Sequence, residues 1–310
     1  MRTAYPEHRF AQDMPAFVAR SRRTTDARTF QPVWPHGARC AATFTLHFDA
    51  QTLWRSMEQE TLPNISLGEF GARVGIWRFL DLMARHDIRM TVFVPGWVAE
   101  TYPDAIRAVA ERGHELAYHG YHHVRADSGW DGSSWDAARE EAVMDHTISV
   151  LERLGGQRVI GYCSRLTPHT MDLLLRKGFR YCNNHMADDI PYWWMDDQGR
   201  PTGLLELPFD WVMTDSSYYF HTYLPFAGDL RSPEEARQVW QAEFDGAYAF
   251  GRYFLLVNHP QLSGRASRIL GLERLVEYVK SKKDVWIAAA GEVADYWRAT
   301  YPPASGHASR

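Results

Sequence analysis

Two histidines four positions apart, His119 and His123, stand in the segment Gly113-His-Glu-Leu-Ala-Tyr-His-Gly-Tyr-His-His123, with Gly120 between them. On one helical turn, side chains at i and i+4 share a face. That is the reach two imidazole nitrogens need to hold one metal ion, as in the helical His-x-x-x-His pairs of zinc hydrolases. A catalytic ion needs a third protein ligand and an open position for water. Asp49 is the candidate, at the end of Thr43-Phe-Thr-Leu-His-Phe-Asp-Ala50, an apolar run that reads as a buried strand. His122 stands spare beside the pair. The competing reading is two histidines that cap a helix or bond backbone, and fourteen histidines in the chain make chance pairs common.

The elements that would position these groups alternate along the chain. Residues 39–50 read as a first strand, and 51–70 as a long connection forming a lid or pocket wall. Val74, Ile76, Trp77, Leu80 and Met83 recur at helical spacing through 73–86. Strands follow at 88–94 and 115–118, around a helix at 103–112 that opens on Pro103. Helices are expected at 135–154, 168–177, 233–250, 267–282 and 291–299, the first two stopped by glycine. Strands are expected at 159–162, 179–182, 204–209, 253–257 and 284–288, with 183–203 and the aromatic stretch Trp211–Tyr223 as loops. Strands separated by helices imply a parallel sheet covered by helices. Seven or eight such units favour a closed barrel with its site at the C-terminal strand ends. The expected organisation is an arm over 1–33, one barrel domain over 34–300 and a flexible tail over 301–310.

Composition excludes other classes. The 310 residues carry a net charge of −4, which points away from nucleic acid and from membrane surfaces. No run approaches transmembrane length and no apolar leader opens the chain. Three cysteines, Cys40, Cys163 and Cys182, form no paired motif, so a reducing, cytoplasmic setting is expected.

The order of motifs resembles the polysaccharide deacetylase superfamily, in its peptidoglycan-deacetylase, cyclic-imidase and allantoinase branch. The matching pieces are Phe48-Asp-Ala-Gln-Thr-Leu-Trp54, Gly68-Glu-Phe-Gly-Ala-Arg-Val-Gly75, Thr91-Val-Phe-Val-Pro-Gly-Trp97, and the histidine segment above. Further on come Met186-Ala-Asp-Asp-Ile-Pro-Tyr192, Glu206-Leu-Pro208, and Asn258-His-Pro-Gln-Leu-Ser-Gly-Arg-Ala-Ser-Arg268. The resemblance spans about residues 34 to 299. It implies a distorted (β/α) barrel of about seven parallel strands and hydrolysis of C–N bonds in N-acetyl sugars, cyclic imides or ureides. Carried over by position, it makes Asp49, His119 and His123 the ligands of a divalent ion, zinc foremost, and His259 the acid toward the leaving nitrogen. It also suggests a homo-oligomer, a dimer or tetramer.

Two positions depart from the family pattern. Family members usually carry Asp-x-Asp-Ala, with the first aspartate as base, where this chain has His47. An Arg that pairs with that base is usual where this chain has Cys163, in a shortened Gly161-Tyr-Cys-Ser-Arg-Leu-Thr-Pro168. The changes agree physically, since a cation beside an imidazole has no acid to pair with. His47 is then a substitute base, an extra metal ligand, or the mark of a site that binds without turnover. Trp54, Trp97, Trp193 and Tyr218 are expected in loops around the substrate, with Arg165 reaching in from the shortened loop. Arg265 and Arg268 are candidates for a substrate carboxylate or for ion pairs. Three functions stay open: a hydrolase of a small amide or imide, an N-acetyl sugar deacetylase, and a non-catalytic binding protein.

Overall fold

The computed structural model describes residues 30–123, 136–166, 169–196, 198, 200–220 and 230–302. Most of the expected arm, the tail beyond 302 and the end of the aromatic stretch at Tyr223 lie outside the described residues.

The chain opens its sheet with β1 (Cys40–His47), an unbroken run of small and apolar residues buried on both faces, as a central parallel strand must be. Helix α1 (Thr52–Ser56) and helix α2 (Leu62–Phe70) follow. A wider π-type turn at Gly71–Gly75 leads into α3 (Ile76–Arg85). Strand β2 (Thr91–Val94), α4 (Gly96–Thr101), α5 (Pro103–Glu111) and β3 (Glu115–Tyr118) come next. They are succeeded by α6 (Ala137–Gly155), β4 (Gly161–Tyr162), α7 (Thr170–Lys177) and β5 (Tyr181–Cys182). Then come β6 (Tyr192–Met195), β7 (Pro201–Glu206), α8 (Ser216–Tyr219), α9 (Pro233–Phe250) and β8 (Tyr253–Asn258). The chain closes with α10 (Pro260–Ser263), α11 (Ala266–Ser281), β9 (Val285–Ile287) and α12 (Ala290–Thr300).

Seven strands run parallel in the order β7-β5-β4-β3-β2-β1-β8, and β6 is added antiparallel outside β7. The side chains show how strongly this sheet curls. Successive residues of a strand face opposite sides, and here the sides are two separate cores. Ala42, Phe44, Leu46, Val92, Leu116 and Leu256 face outward onto Ile76, Phe79, Ile106, Val109, Leu151 and Leu275 of the surrounding helices. Ala41, Phe93, Ala117, Tyr181, Leu205, Leu255 and Val257 face inward and meet one another. The rings of Phe93 on β2 and Tyr181 on β5 come within 6.4 Å although β3 and β4 lie between them. The interior is a packed core, and the distorted α/β barrel of about seven parallel strands is present.

Strand pairing does not close it. No ladder among the described residues joins β7 to β8. Instead, the free edge of β8 is met by loop backbone: Tyr253 N–H donates to the Asp189 carbonyl at 3.0 Å and Asp215 N–H to the Val257 carbonyl at 3.1 Å. The edge of β1 is shared too, its first half pairing β9 and its last three residues pairing β2, which begins only at Thr91.

Two stretches expected as loops are regular. Residues 51–70 are mostly helix, because Thr61 caps α2 through Asn64 N–H and Pro63 stands in the first turn, where a missing N–H costs nothing. Within 183–203, Tyr192–Met195 forms β6, which buries its residues against β7. No described helix is long and apolar enough to cross a membrane.

Candidate metal-binding active site

The C-terminal ends of β1, β3 and β8 deliver the site. Beyond His47, Phe48 N–H still bonds the Phe93 carbonyl, so Asp49 leaves the sheet at its rim. The Asp49 carbonyl accepts from Thr52 N–H and hydroxyl, which turns the chain into α1 and holds the side chain inward, fully buried. His119 follows β3 directly, its N–H on the Val94 carbonyl. The His119/His123 pair does not sit on a helix, as its spacing suggests. Gly120, at φ +80°, reverses the chain in a conformation that strains any other residue, and the loop 119–123 brings His123 back beside His119. Gly96 and Trp97 N–H groups brace that loop on the carbonyls of Gly120 and Tyr121.

Helix α2 and the π-type turn after it support two corners at once. A side chain at Gly68 would stand 2.6 Å from the Ala50 carbonyl oxygen, next to Asp49. One at Gly75 would collide with the Pro260 carbonyl, next to His259. Only bare backbone lets one continuous helical segment touch both.

Asp49 Oδ1 lies 3.3 Å from His119 Nε2 and 3.5 Å from His123 Nε2. Metal–ligand bonds of about 2.0–2.2 Å in tetrahedral array separate neighbouring ligand atoms by about 3.4 Å. Both Asp49 oxygens and His119 Nε2 are buried with no hydrogen-bond partner. Orphaned buried groups of this kind are costly, and a cation among them satisfies all at once. The donors fit a divalent ion. His119 Nδ1 is held by the Cys163 carbonyl oxygen, which leaves Nε2 as the ring's free donor. Burial alone would raise the Asp49 pKa, but the imidazoles of His123 and His119 more than offset it, so the carboxyl stays ionised.

His47 and His259 flank this trio, with ring centres 5.2 Å apart, and His47 lies 4.4 Å from His119. His259 Nε2 is 3.6 Å from Asp49 Oδ2, while Nδ1 meets Asp215 Oδ1 at 2.5 Å. Asp215 Oδ2 also accepts from the His259 backbone N–H at 2.9 Å and the Ser263 hydroxyl at 2.6 Å. The environments push the two imidazoles apart. His47 is driven well below the usual histidine range by burial and by the neighbouring histidines His119 and His259. For His259 burial also lowers the pKa, but Asp215 and then Asp49 outweigh it and the net shift is upward. Asp215, in the loop after β7, was not singled out in the sequence. Nothing in Met213-Thr-Asp-Ser216 signals a role until topology lays that loop along β8.

The expected substrate residues are scattered. Trp54 is fully buried and stacks on Phe220, its indole N–H unpaired. Trp97 is half-buried beside the site, 6.0 Å from the His122 ring and under the Arg55 guanidinium. Arg165 is half-buried in the loop after β4, where its carbonyl accepts from Tyr162. Trp193 corrects the sequence reading: it is strand, 3% exposed in the inner core, bonded to the Tyr301 carbonyl, with Arg298 over its ring. Tyr218 packs edge-on to Trp240 and donates to the Val212 carbonyl. Arg265 and Arg268 stack on Phe70 and Tyr219, forming neither of the expected ion pairs among the bonds described. Glu115 is structural, taking bonds from Thr91, Tyr181 and the N-terminus of α12.

Comparison with known proteins agrees with this fold. Residues 69–174 match the polysaccharide deacetylase family model. A solved Mycobacterium smegmatis chain assigned to the polysaccharide deacetylases is 31% identical, with a TM-score of 0.80 over 90% of this chain and 96% of its own. A solved allantoinase is 28% identical, with a TM-score of 0.75 over 91% and 99%. A peptidoglycan deacetylase of Helicobacter pylori is 28% identical over 264 residues, 76% of this chain and 88% of that one.

Proposed function

This chain belongs to the polysaccharide deacetylase superfamily, and we propose that it is a metal-dependent hydrolase of amide or cyclic imide C–N bonds in a small molecule. The observation that carries the reading is the convergence of Asp49 with His119 and His123, the Asp49 oxygens and His119 Nε2 being buried and unpartnered. A divalent ion, zinc foremost, supplies a polarised carbonyl and water of lowered pKa when held there.

The chain's own groups divide the proton work. His47 Nε2 is buried and unpartnered, and it accepts the proton of the attacking water. Asp215 accepts a hydrogen bond from the Nδ1–H of His259 and stabilises the imidazolium, so Nε2 carries the second, exchangeable proton toward Asp49 and gives it to the departing nitrogen. Two imidazoles pushed in opposite directions suit a base and an acid working in one turnover. Asp215 is a positioning residue that acts through His259.

A small, non-polymeric substrate fits a site whose Asp49, His119 and His259 are all buried, and likeness to the allantoinase along 99% of that chain supports it. N-acetyl sugar deacetylation is the runner-up, favoured by the name of the Helicobacter pylori relative. The proposal includes a homo-oligomer in the cytoplasm, where three buried, unpaired cysteines persist. The test is metal analysis of the purified protein with a hydrolysis screen over cyclic imides, ureides, aryl amides and N-acetyl sugars. Turnover of imides or ureides is expected. Turnover of sugars alone favours the runner-up, and a bound ion without any turnover returns the reading to a binding protein.

A further inference from the structure

We propose that His47 and Cys163 form, with His119, a second donor set that takes a thiophilic metal ion in place of the ion held by Asp49, His119 and His123. Ligand atoms of His47, His119 and Cys163 all lie within 4.8 Å of one another, as do those of the first set. Ligand atoms around zinc stand about 3.3–3.8 Å apart, so closure asks for inward shifts of up to about 1 Å shared among three side chains.

The backbone already fixes the sulfur residue against its partner. Cys163 N–H donates to the Tyr118 carbonyl at 3.0 Å and the Cys163 carbonyl accepts from His119 Nδ1. Both bonds tie it to the end of β3, independently of the loop that follows. His47 Nε2 and His119 Nε2 are buried without partners, and His119 as a whole is 5% exposed. Because Nδ1 of His119 is engaged, its Nε2 serves one ion at a time, and the two sets are mutually exclusive. One ion per chain follows.

The chemistry of the sets differs. One carboxylate and two imidazoles accept a range of divalent ions, whereas one thiolate and two imidazoles select Zn²⁺, Cd²⁺ or Cu⁺. Binding in the sulfur set expels the thiol proton and occupies His47 Nε2. On the function proposed above, that atom is the proton acceptor, so a thiophilic ion inhibits. Sulfur ligation itself does not depend on that reading.

The test adds one equivalent of Cd²⁺ to the metal-free full-length protein and reads the near-ultraviolet spectrum. A thiolate-to-metal charge-transfer band is expected, retained in Cys182→Ser and Asp49→Asn and lost in Cys163→Ser. Cys163→Ser still binds one Co²⁺ through the first set, with Cd²⁺ affinity reduced by at least the 10–100-fold typical of losing a supporting residue. One ion bound by the parent with no such band overturns this inference alone, as does a band that survives Cys163→Ser. An absence of any bound ion overturns the proposed function with it.

Discussion

Replacing Asp215 by Asn isolates what holds His259 in its working form. Three donors converge on the buried carboxylate: the His259 backbone N–H at 2.9 Å, His259 Nδ1 at 2.5 Å and the Ser263 hydroxyl at 2.6 Å. An Asn side chain offers one accepting oxygen and one donating nitrogen, so at least one of these donors then faces an N–H. The stability cost of that orphan is about 1–3 kcal/mol, measurable by urea denaturation. The loss of rate is larger. Without the carboxylate charge at Nδ1 the imidazolium is no longer stabilised, and His259 is seldom doubly protonated, with no spare proton at Nε2 for the leaving nitrogen. Turnover should fall by roughly 10²–10⁴-fold, the size of a general-acid contribution, with KM and metal content near those of the parent. The deficit should shrink on an aryl amide with an electron-withdrawing ring, whose nitrogen departs with little protonation. Ser263→Ala, which removes one donor and leaves the charge, should stay within about tenfold of the parent. Equal losses on good and poor leaving groups, with the ion still bound, would refute the acid role of His259.

His47→Ala should lower turnover by about two to four orders of magnitude and leave the bound ion in place, read by metal analysis beside kinetics. Parent-level turnover in that variant would move the base elsewhere. Gly75→Ala forces a methyl group into the Pro260 carbonyl. A cost of about 1–3 kcal/mol in thermal or denaturant unfolding, with kcat lowered more than KM raised, is expected from overpacking beside His259. Acid stability should be set partly by His114 and His185, both lowered by burial from 6.5 to about 4. Each favours the native state fully above pH 6.5, and that contribution disappears as pH falls through about 4. The His114 share is at most about 3 kcal/mol. His114→Gln, which can still accept from Met90 N–H, should therefore flatten the fall in melting temperature between pH 6.5 and 4. An acid limb unchanged from the parent would count against it.

Much of the fold was legible because the parallel strands are continuous apolar runs and the helices carry their own stop signals. Gly156 and Gly178 end α6 and α7 in left-handed conformation, where the sequence marked them. The errors have local causes. Pro63 and Gly68 read as loop, whereas the proline opens a helix and the glycine lets it pack on Ala50. Trp193 reads as a pocket rim, yet it donates to the Tyr301 carbonyl from a buried strand, which makes it core. At the site, Asp49, His119 and His123 stood out because each ends or follows a recognisable strand. Asp215 did not, for its bond to His259 spans 44 residues and exists only once the loop after β7 lies along β8.

The most direct test is the metal content of the Asp49→Ala, His119→Ala, His123→Ala triple variant, measured beside the parent by plasma emission spectroscopy. Circular dichroism should confirm that both are folded. The parent should hold one divalent ion per chain and the variant none, because removing His119 also disables the sulfur-bearing set. Full retention of the ion by the folded variant would contradict the site described here.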